Sequence, residues 1–136
     1  MSETIAEGPI ATVQQWFHLV NEEDFANLSL LVHDDLVTSL SKELPYGSVF
    51  HGMSGLIEAR NRVMSVLQPH GPPTGIQIYE TVDGNVTVRL HGQFVVKGTG
   101  KSVEQDVMEF FGFRDGKIAE VDIYYREPGA IAALIA

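Results

Sequence analysis

Two alternating runs, 103–113 and 118–125, flank the tetrapeptide Arg114-Asp115-Gly116-Lys117. Asp-Gly between alternating apolar runs is a strong hairpin signal, because both central positions of the tight turn need a positive φ. The turn also sets register, and register decides which side chains share a face. Glu109 falls on one face with Gln105, Val107, Phe111 and Phe113. Val121, Ile123 and Tyr125 share that face on the next strand, while Glu120 and Asp122 point away. A carboxylate in such a strand is aimed either at water or into a pocket. A pocket would raise its pKa and make Glu109 a candidate acid or base. The competing reading is a carboxylate paired with Arg or Lys at a subunit interface.

The rest of the chain supplies the other layer. Ile10, Val13, Trp16, Phe17 and Val20 recur at helical spacing, so 9–21 reads as an amphipathic helix with proline at its start. Asp24 is a good cap for a short helix over 25–32, ended by His33-Asp34-Asp35. A short strand over 36–41 and a loop over 42–50 follow. Ser54 can cap a third helix to Leu67, broken by the Pro/Gly tract 68–75. From there the period becomes two, with strands over 76–82, 86–97, 102–114 and 118–126 joined by tight turns. Helices first and a meander second predict an α+β fold: a cone-shaped, curved, mainly antiparallel sheet of four or five strands packed on three N-terminal helices. The chain, 1–136, reads as a single domain, and its small, apolar last ten residues are expected over the sheet or its mouth.

Charge and composition exclude several classes. The net charge of −9 and the scattered basic residues leave no stripe for nucleic acid. No apolar run is long enough to span a bilayer. The acidic, polar start is not a secretory signal, and with no cysteine the plain expectation is a cytoplasmic protein. The five histidines lack metal-ligand spacing. Gly100-Lys101-Ser102 fails as a phosphate loop, because Val95 replaces the first glycine and the context is strand–turn–strand. Neither a metal nor a cofactor is expected.

Several segments together carry a resemblance. They are the opening VQQWFHLVNEEDFANLSLLVHDDLV, the helix start His51-Gly52-Met53-Ser54-Gly55-Leu56-Ile57, the turn Phe113-Arg114-Asp115-Gly116-Lys117-Ile118, and Tyr124-Tyr125 with the Pro-Gly-Ala tail. In their order and spacing the chain resembles the SnoaL-like group of the nuclear-transport-factor-two-like superfamily, which includes ketosteroid isomerase, limonene epoxide hydrolase and polyketide cyclases. The resemblance implies the cone fold, a small hydrophobic ligand, and a homodimer through the convex face of the sheet. It does not specify a reaction, because the fold hosts many. Against ketosteroid isomerase, Glu109 matches the aspartic acid kept protonated by an apolar site, but Leu40 replaces the general base and Trp16 the tyrosine donor. Against limonene epoxide hydrolase, Arg89 can match the bridging arginine, but His91 and Ile123 stand in place of its aspartates.

Glu109 is thus the leading candidate acid or hydrogen-bond donor, with His51 or Tyr46 assisting. His51 is a natural acid–base group near the expected mouth. The expected pocket wall is Trp16, Leu40, Met64, Phe94, Phe111, Val121, Ile123 and Tyr125. Arg89, His91 and Gln93 form a polar strip whose face the sequence leaves open, and His18 and His70 are weaker candidates. Two functions follow. One is a cofactor-free isomerase, cyclase or hydratase acting by acid–base chemistry on a small, apolar, ring-containing substrate. The other is a non-catalytic small-molecule-binding or accessory dimer.

Overall fold

A computed structural model describes residues 8–68 and 72–136. His70 lies outside the described residues. Helix α1 (Pro9–Asn21) carries proline in its first turn and buries Val13 and Trp16. Helix α2 (Phe25–Leu28) is capped by Asp24, whose carboxylate accepts the Asn27 N–H at 3.2 Å. One 3-10 turn, Ser29–Leu31, follows.

The helix expected over 25–32 therefore stops early. Val32 is already extended and opens strand β1 (Val32–Ser39), which begins before the expected 36–41. The cause is long-range: β1 runs parallel to strand β7 (Lys117–Tyr125), with Val32 opposite Ile118 and Thr38 opposite Val121. Local spacing cannot reveal a partner so distant in the chain, and pairing of this kind overrides local propensity. His33-Asp34-Asp35 is thus part of a strand, and Arg114 donates to Asp35 at 2.9 Å.

The remaining elements are β2 (Val49–His51), α3 (Gly52–Val66), β3 (Leu67–Gln68), β4 (Thr74–Glu80), β5 (Val86–Val96), β6 (Ser102–Arg114) and α4 (Pro128–Ile135). Among the described residues the sheet has seven strands rather than four or five, in the order β2-β1-β7-β6-β5-β3, with β4 also on β5. β2 and β3 are too short to show a period, so only their pairing identifies them. The sheet is mixed, strongly curled, and combined with four helices in an α+β cone. None of the helices is long and apolar enough to cross a membrane among the described residues.

The Arg114–Lys117 hairpin forms as its sequence requires. Asp115 and Gly116 both take positive φ, 55° and 75°. A one-residue shift between Gly112 and Phe113 skips Ala119, and beyond it Glu109 lies opposite Val88 on one side and Ile123 on the other. Val88, Val107, Phe111 and Val121 on this face are buried with Val13, Trp16 and Leu28. The opposite face carries Arg89, Met108 and Tyr124 in one row, with Tyr79 nearby. Arg89 and His91 both engage Asp106 there, at 2.9 and 3.0 Å, and His91 also reaches Glu104 at 3.2 Å. The polar strip therefore faces outward, away from the helices.

A second core closes the other end of the cone. Ile131 of α4 is fully buried with Leu44, Tyr46 and Phe50. Gly47 allows the loop that carries Tyr46: a Cβ there would stand 1.6 Å from the Ser41 carbonyl oxygen. Gln105, 5% exposed, anchors the start of α4. Its amide donates to the Glu127 carbonyl and its oxygen accepts the Glu127 N–H, each at 3.0 Å. Replacing Gln105 by Leu leaves the Glu127 N–H unpartnered and its carbonyl with only the Ala130 N–H, so a loss of about 1–3 kcal/mol is expected. Denaturant unfolding reads the loss. Hydrogen exchange reads its location, with faster exchange concentrated in α4.

Candidate functional site

Between the helices and the concave sheet lies a cavity of about 250 Å³. The helices contribute Trp16, Phe17 and Val20 from α1, Phe25 from α2, and Leu56, Ala59, Arg60 and Val63 from α3. The sheet side contributes Thr38, Leu40, Glu109, Val121 and Ile123. Larger depressions exist on the outside, one of them lined by Asp35, Arg114 and Glu120. The smaller cavity is the chemically unusual place, because a carboxyl stands in an almost wholly apolar wall.

Glu109 makes it so. Its carboxyl is pushed up to about 7, and burial is the sole cause. The residue keeps some accessible surface because it borders the cavity, yet protein surrounds it closely enough to strip away bulk hydration. No neighbouring charge or hydrogen bond offsets that loss, so the ionised form is disfavoured. A carboxyl in this state is present in both protonation forms near neutral pH.

Thr38 is the second polar group in the wall. It is 2% exposed, and its hydroxyl oxygen has no hydrogen-bond partner. Buried hydroxyls are nearly always partnered, so this one is an exception within the wall. Sequence reasoning missed it, because a threonine in a strand is unremarkable until its partners are known. Arg60 is the third.

Of the expected wall, Trp16, Leu40, Val121 and Ile123 line this cavity with Glu109. Other candidates do not. His51 ends β2 pointing outward: the strand buries Phe50 and exposes Val49 and His51. Tyr46 is buried in the second core, and its hydroxyl donates to that of Tyr125 at 3.3 Å. Phe94 stacks edge-on against Tyr125 at 5.8 Å. Phe111 sits one layer behind the wall, edge-on to both Trp16 and Phe17. Met64 lies elsewhere on α3, partly exposed, since the helix turns Leu56, Ala59, Arg60 and Val63 toward the cavity. Tyr125 shares the face of Glu109 without lining the cavity. Its phenol is held well above the usual range, chiefly by burial, with the Tyr46 and Glu109 charges adding to it. Among the described residues no group of three or more His, Cys, Asp or Glu side chains is placed to hold a metal ion.

Comparison with known proteins bears on the fold. The family model for the SnoaL-like domain matches residues 13–121. No curated protein matches the chain. Among solved structures, an NTF2-like protein of unknown function from Burkholderia pseudomallei is 15% identical, covers 96% of this chain and 99% of its own, and superposes with a TM-score of 0.81. A candidate polyketide cyclase from Xanthomonas campestris is 18% identical over 94% of this chain and 96% of its own, with a TM-score of 0.74. TerC, co-crystallized with polyporic acid, is 20% identical over 93% of this chain and 97% of its own, with a TM-score of 0.71. At such identities the likeness carries the fold alone.

Burial of Glu109 has a measurable consequence. An unfolded Glu titrates near 4.5, and the folded one near 7. Below 4.5 the carboxyl is neutral in both states and imposes no ionisation penalty. Between 4.5 and 7 the unfolded state releases a proton that the folded state retains, so stability falls across that window and levels off above it. The total loss is about 3 kcal/mol. In Glu109→Gln it is absent, so the stability difference between variant and wild type should move in the variant's favour by that amount from pH 4 to pH 8. Denaturant unfolding across this range measures it, and a flat difference would show Glu109 to be solvated.

Proposed function

The chain belongs to the SnoaL-like domain family, and on that premise we propose that it catalyses cofactor-free proton transfer next to a carbonyl group in a small, mostly apolar, ring-containing substrate. The observation that carries this reading is the lone carboxyl of Glu109, desolvated inside an otherwise apolar cavity. A pKa near the working pH lets one group serve as base and then as acid. In its ionised form Glu109 takes a proton from the carbon beside the carbonyl. The C–H electron pair moves into the new C–C double bond, and the carbonyl oxygen becomes an enolate. The Thr38 hydroxyl, turned toward the cavity by a χ1 rotation, donates to that oxygen. Where a β,γ double bond is conjugated with the enolate, neutral Glu109 returns its proton at the γ carbon as the electrons move back and the carbonyl re-forms, which is an isomerisation. Alternatively the enolate carbon attacks a second carbonyl carbon of the same molecule, whose C=O π pair moves to its oxygen and takes the proton from Glu109, which is an aldol-type cyclisation.

Size supports a substrate of one or two fused rings. An apolar protein cavity of roughly 150 Å³ accepts benzene, and this one is about 250 Å³. The candidate polyketide cyclase and the TerC complex among the structural relatives agree with a cyclic ligand, without identifying one. His51 and Tyr46 have no part in the step, since neither borders the cavity. The convex face of the sheet, with Tyr79, Met108 and Tyr124 exposed, belongs to the proposal as a homodimer surface. A mass in dilute solution equal to one chain would refute that part.

Deuterium uptake at the carbon beside the carbonyl reads the chemistry without knowledge of the product. Small cyclic ketones such as tetralone, incubated in heavy water with the protein, should exchange faster than without it. Glu109→Gln should slow that exchange by about 10²–10⁴-fold while retaining ligand binding. Thr38→Val should also slow it, with stability unchanged or up to about 1 kcal/mol higher, because an unpartnered hydroxyl is removed. Ketones that raise the melting temperature but never exchange would favour the non-catalytic, ligand-binding reading instead.

A further inference from the structure

Resting on this reading of the cavity, we infer that Arg60 makes the protein selective for substrates bearing a carboxylate at the end opposite the reacting carbonyl. Among the described residues only two charged side chains line the cavity, Glu109 on β6 and Arg60 on α3. They are not at equivalent places. Arg60 also borders an open groove on the outside, formed by Phe17, Val20, Pro72, Pro73 and Ile76, and Glu109 does not. Phe17, Val20 and Arg60 are common to both spaces. Arg60 therefore stands where the cavity meets the surface.

The guanidinium is incompletely used. Its nearest approach to Glu23 is 3.4 Å, through a single nitrogen, and Glu23 is largely exposed. That is long for a charge-assisted bond, and it leaves the planar donor fork unmatched. Its carbon stands 5.9 Å from the centre of the Phe25 ring, near the outer limit of a useful cation–π contact. An exposed pair of this kind is weakly held, so the exchange of Glu23 for a ligand carboxylate is easy. The ligand would offer two oxygens in one plane, which suits arginine better than the present contact. The side chain is 27% exposed, so such a pair would be partly shielded from solvent.

The overall charge makes a local cation necessary. A chain of net charge −9 repels anions at long range, but screening confines that repulsion to about 8 Å in physiological salt. Within that distance Arg60 would decide what is bound. The apolar ring system fills the cavity, the carbonyl meets Glu109 and Thr38, and the carboxylate remains at the rim on Arg60. A neutral ketone would still fit, but it would bind more weakly and in more than one orientation.

A matched pair of probes tests this: a tetralone carboxylic acid and its carboxamide, titrated calorimetrically into the protein. The acid is expected to bind the wild type about tenfold more tightly than the amide. Arg60→Gln should abolish that preference, so that acid and amide bind alike, and Arg60→Lys should restore part of it. Glu23→Gln removes the competing carboxylate, so it should tighten acid binding several-fold without affecting the amide. This second variant does not disturb α3, so it keeps the test decisive should Arg60→Gln fold poorly. Equal binding of acid and amide by the wild type, or a preference that survives Arg60→Gln, overturns the assignment of Arg60. Failure of the cavity reading looks different: neither probe would protect the wild type, or both would bind with no deuterium uptake that depends on Glu109.

Discussion

The register of β6 against its neighbours controls everything else in this molecule. Side chains alternate strictly along a strand, so the set containing Gln105, Val107, Glu109 and Phe111 must face the helices as a unit. A slip of one residue would carry Met108 and Phe110 inward and put Glu109 in water. On the β7 side the Asp115-Gly116 turn sets the pairing only as far as Phe113, a one-residue shift follows, and the unbroken pairing from Gly112 opposite Glu120 to Val107 opposite Tyr125 then prevents the slip. The long β5 pairing, from Val86 opposite Phe111 to Val95 opposite Ser102, prevents it on the other.

Given that register, the helices have to cover a sheet face that holds one carboxyl among apolar residues. They cover it incompletely. Trp16 and Phe17 pack edge-on against Phe111 and seal one part of the face. Beside them the small Ala59 and the short Thr38 leave space that Glu109 borders. The cavity and the raised pKa have one origin: a curled sheet encloses volume that the available side chains do not fill, and the enclosed carboxyl loses its water. Stability and chemistry are opposed here, as is common at functional sites. Filling the void with apolar atoms in place of Glu109 would steady the fold and remove the carboxyl whose pKa burial raises.

Much of the fold was legible. The helical spacing of Val13, Trp16 and Val20, the Asp-Gly turn and the period-two strands are local signals, and each identifies its element without help. The missed elements are those held by distant partners. β2 and β3 are only three and two residues long, and β1 begins at Val32 because β7 lies beside it, where helical spacing had suggested continuation. At the site, alternation was enough to put Glu109, Val121 and Ile123 on one face. It was not enough to say which residues on that face border space. Phe111 and Tyr125 share the face of Glu109, yet one is sealed by two aromatic rings and the other is turned into a second core with Tyr46.

By itself the sequence determined the class of fold, the turn that sets register, and the carboxyl that a mostly apolar face would have to accommodate. These follow from periodicity and φ preferences, which act over a few residues. Only the tertiary structure decided where the void falls, that the Thr38 hydroxyl is left without a partner, that Arg60 stands at the cavity mouth, and that His51 and Tyr46 stand apart from Glu109. Those outcomes depend on how helices and sheet meet across the core. Residues from α1, α2, α3, β1, β6 and β7 compete there for one space, and no local pattern records which of them will leave it empty.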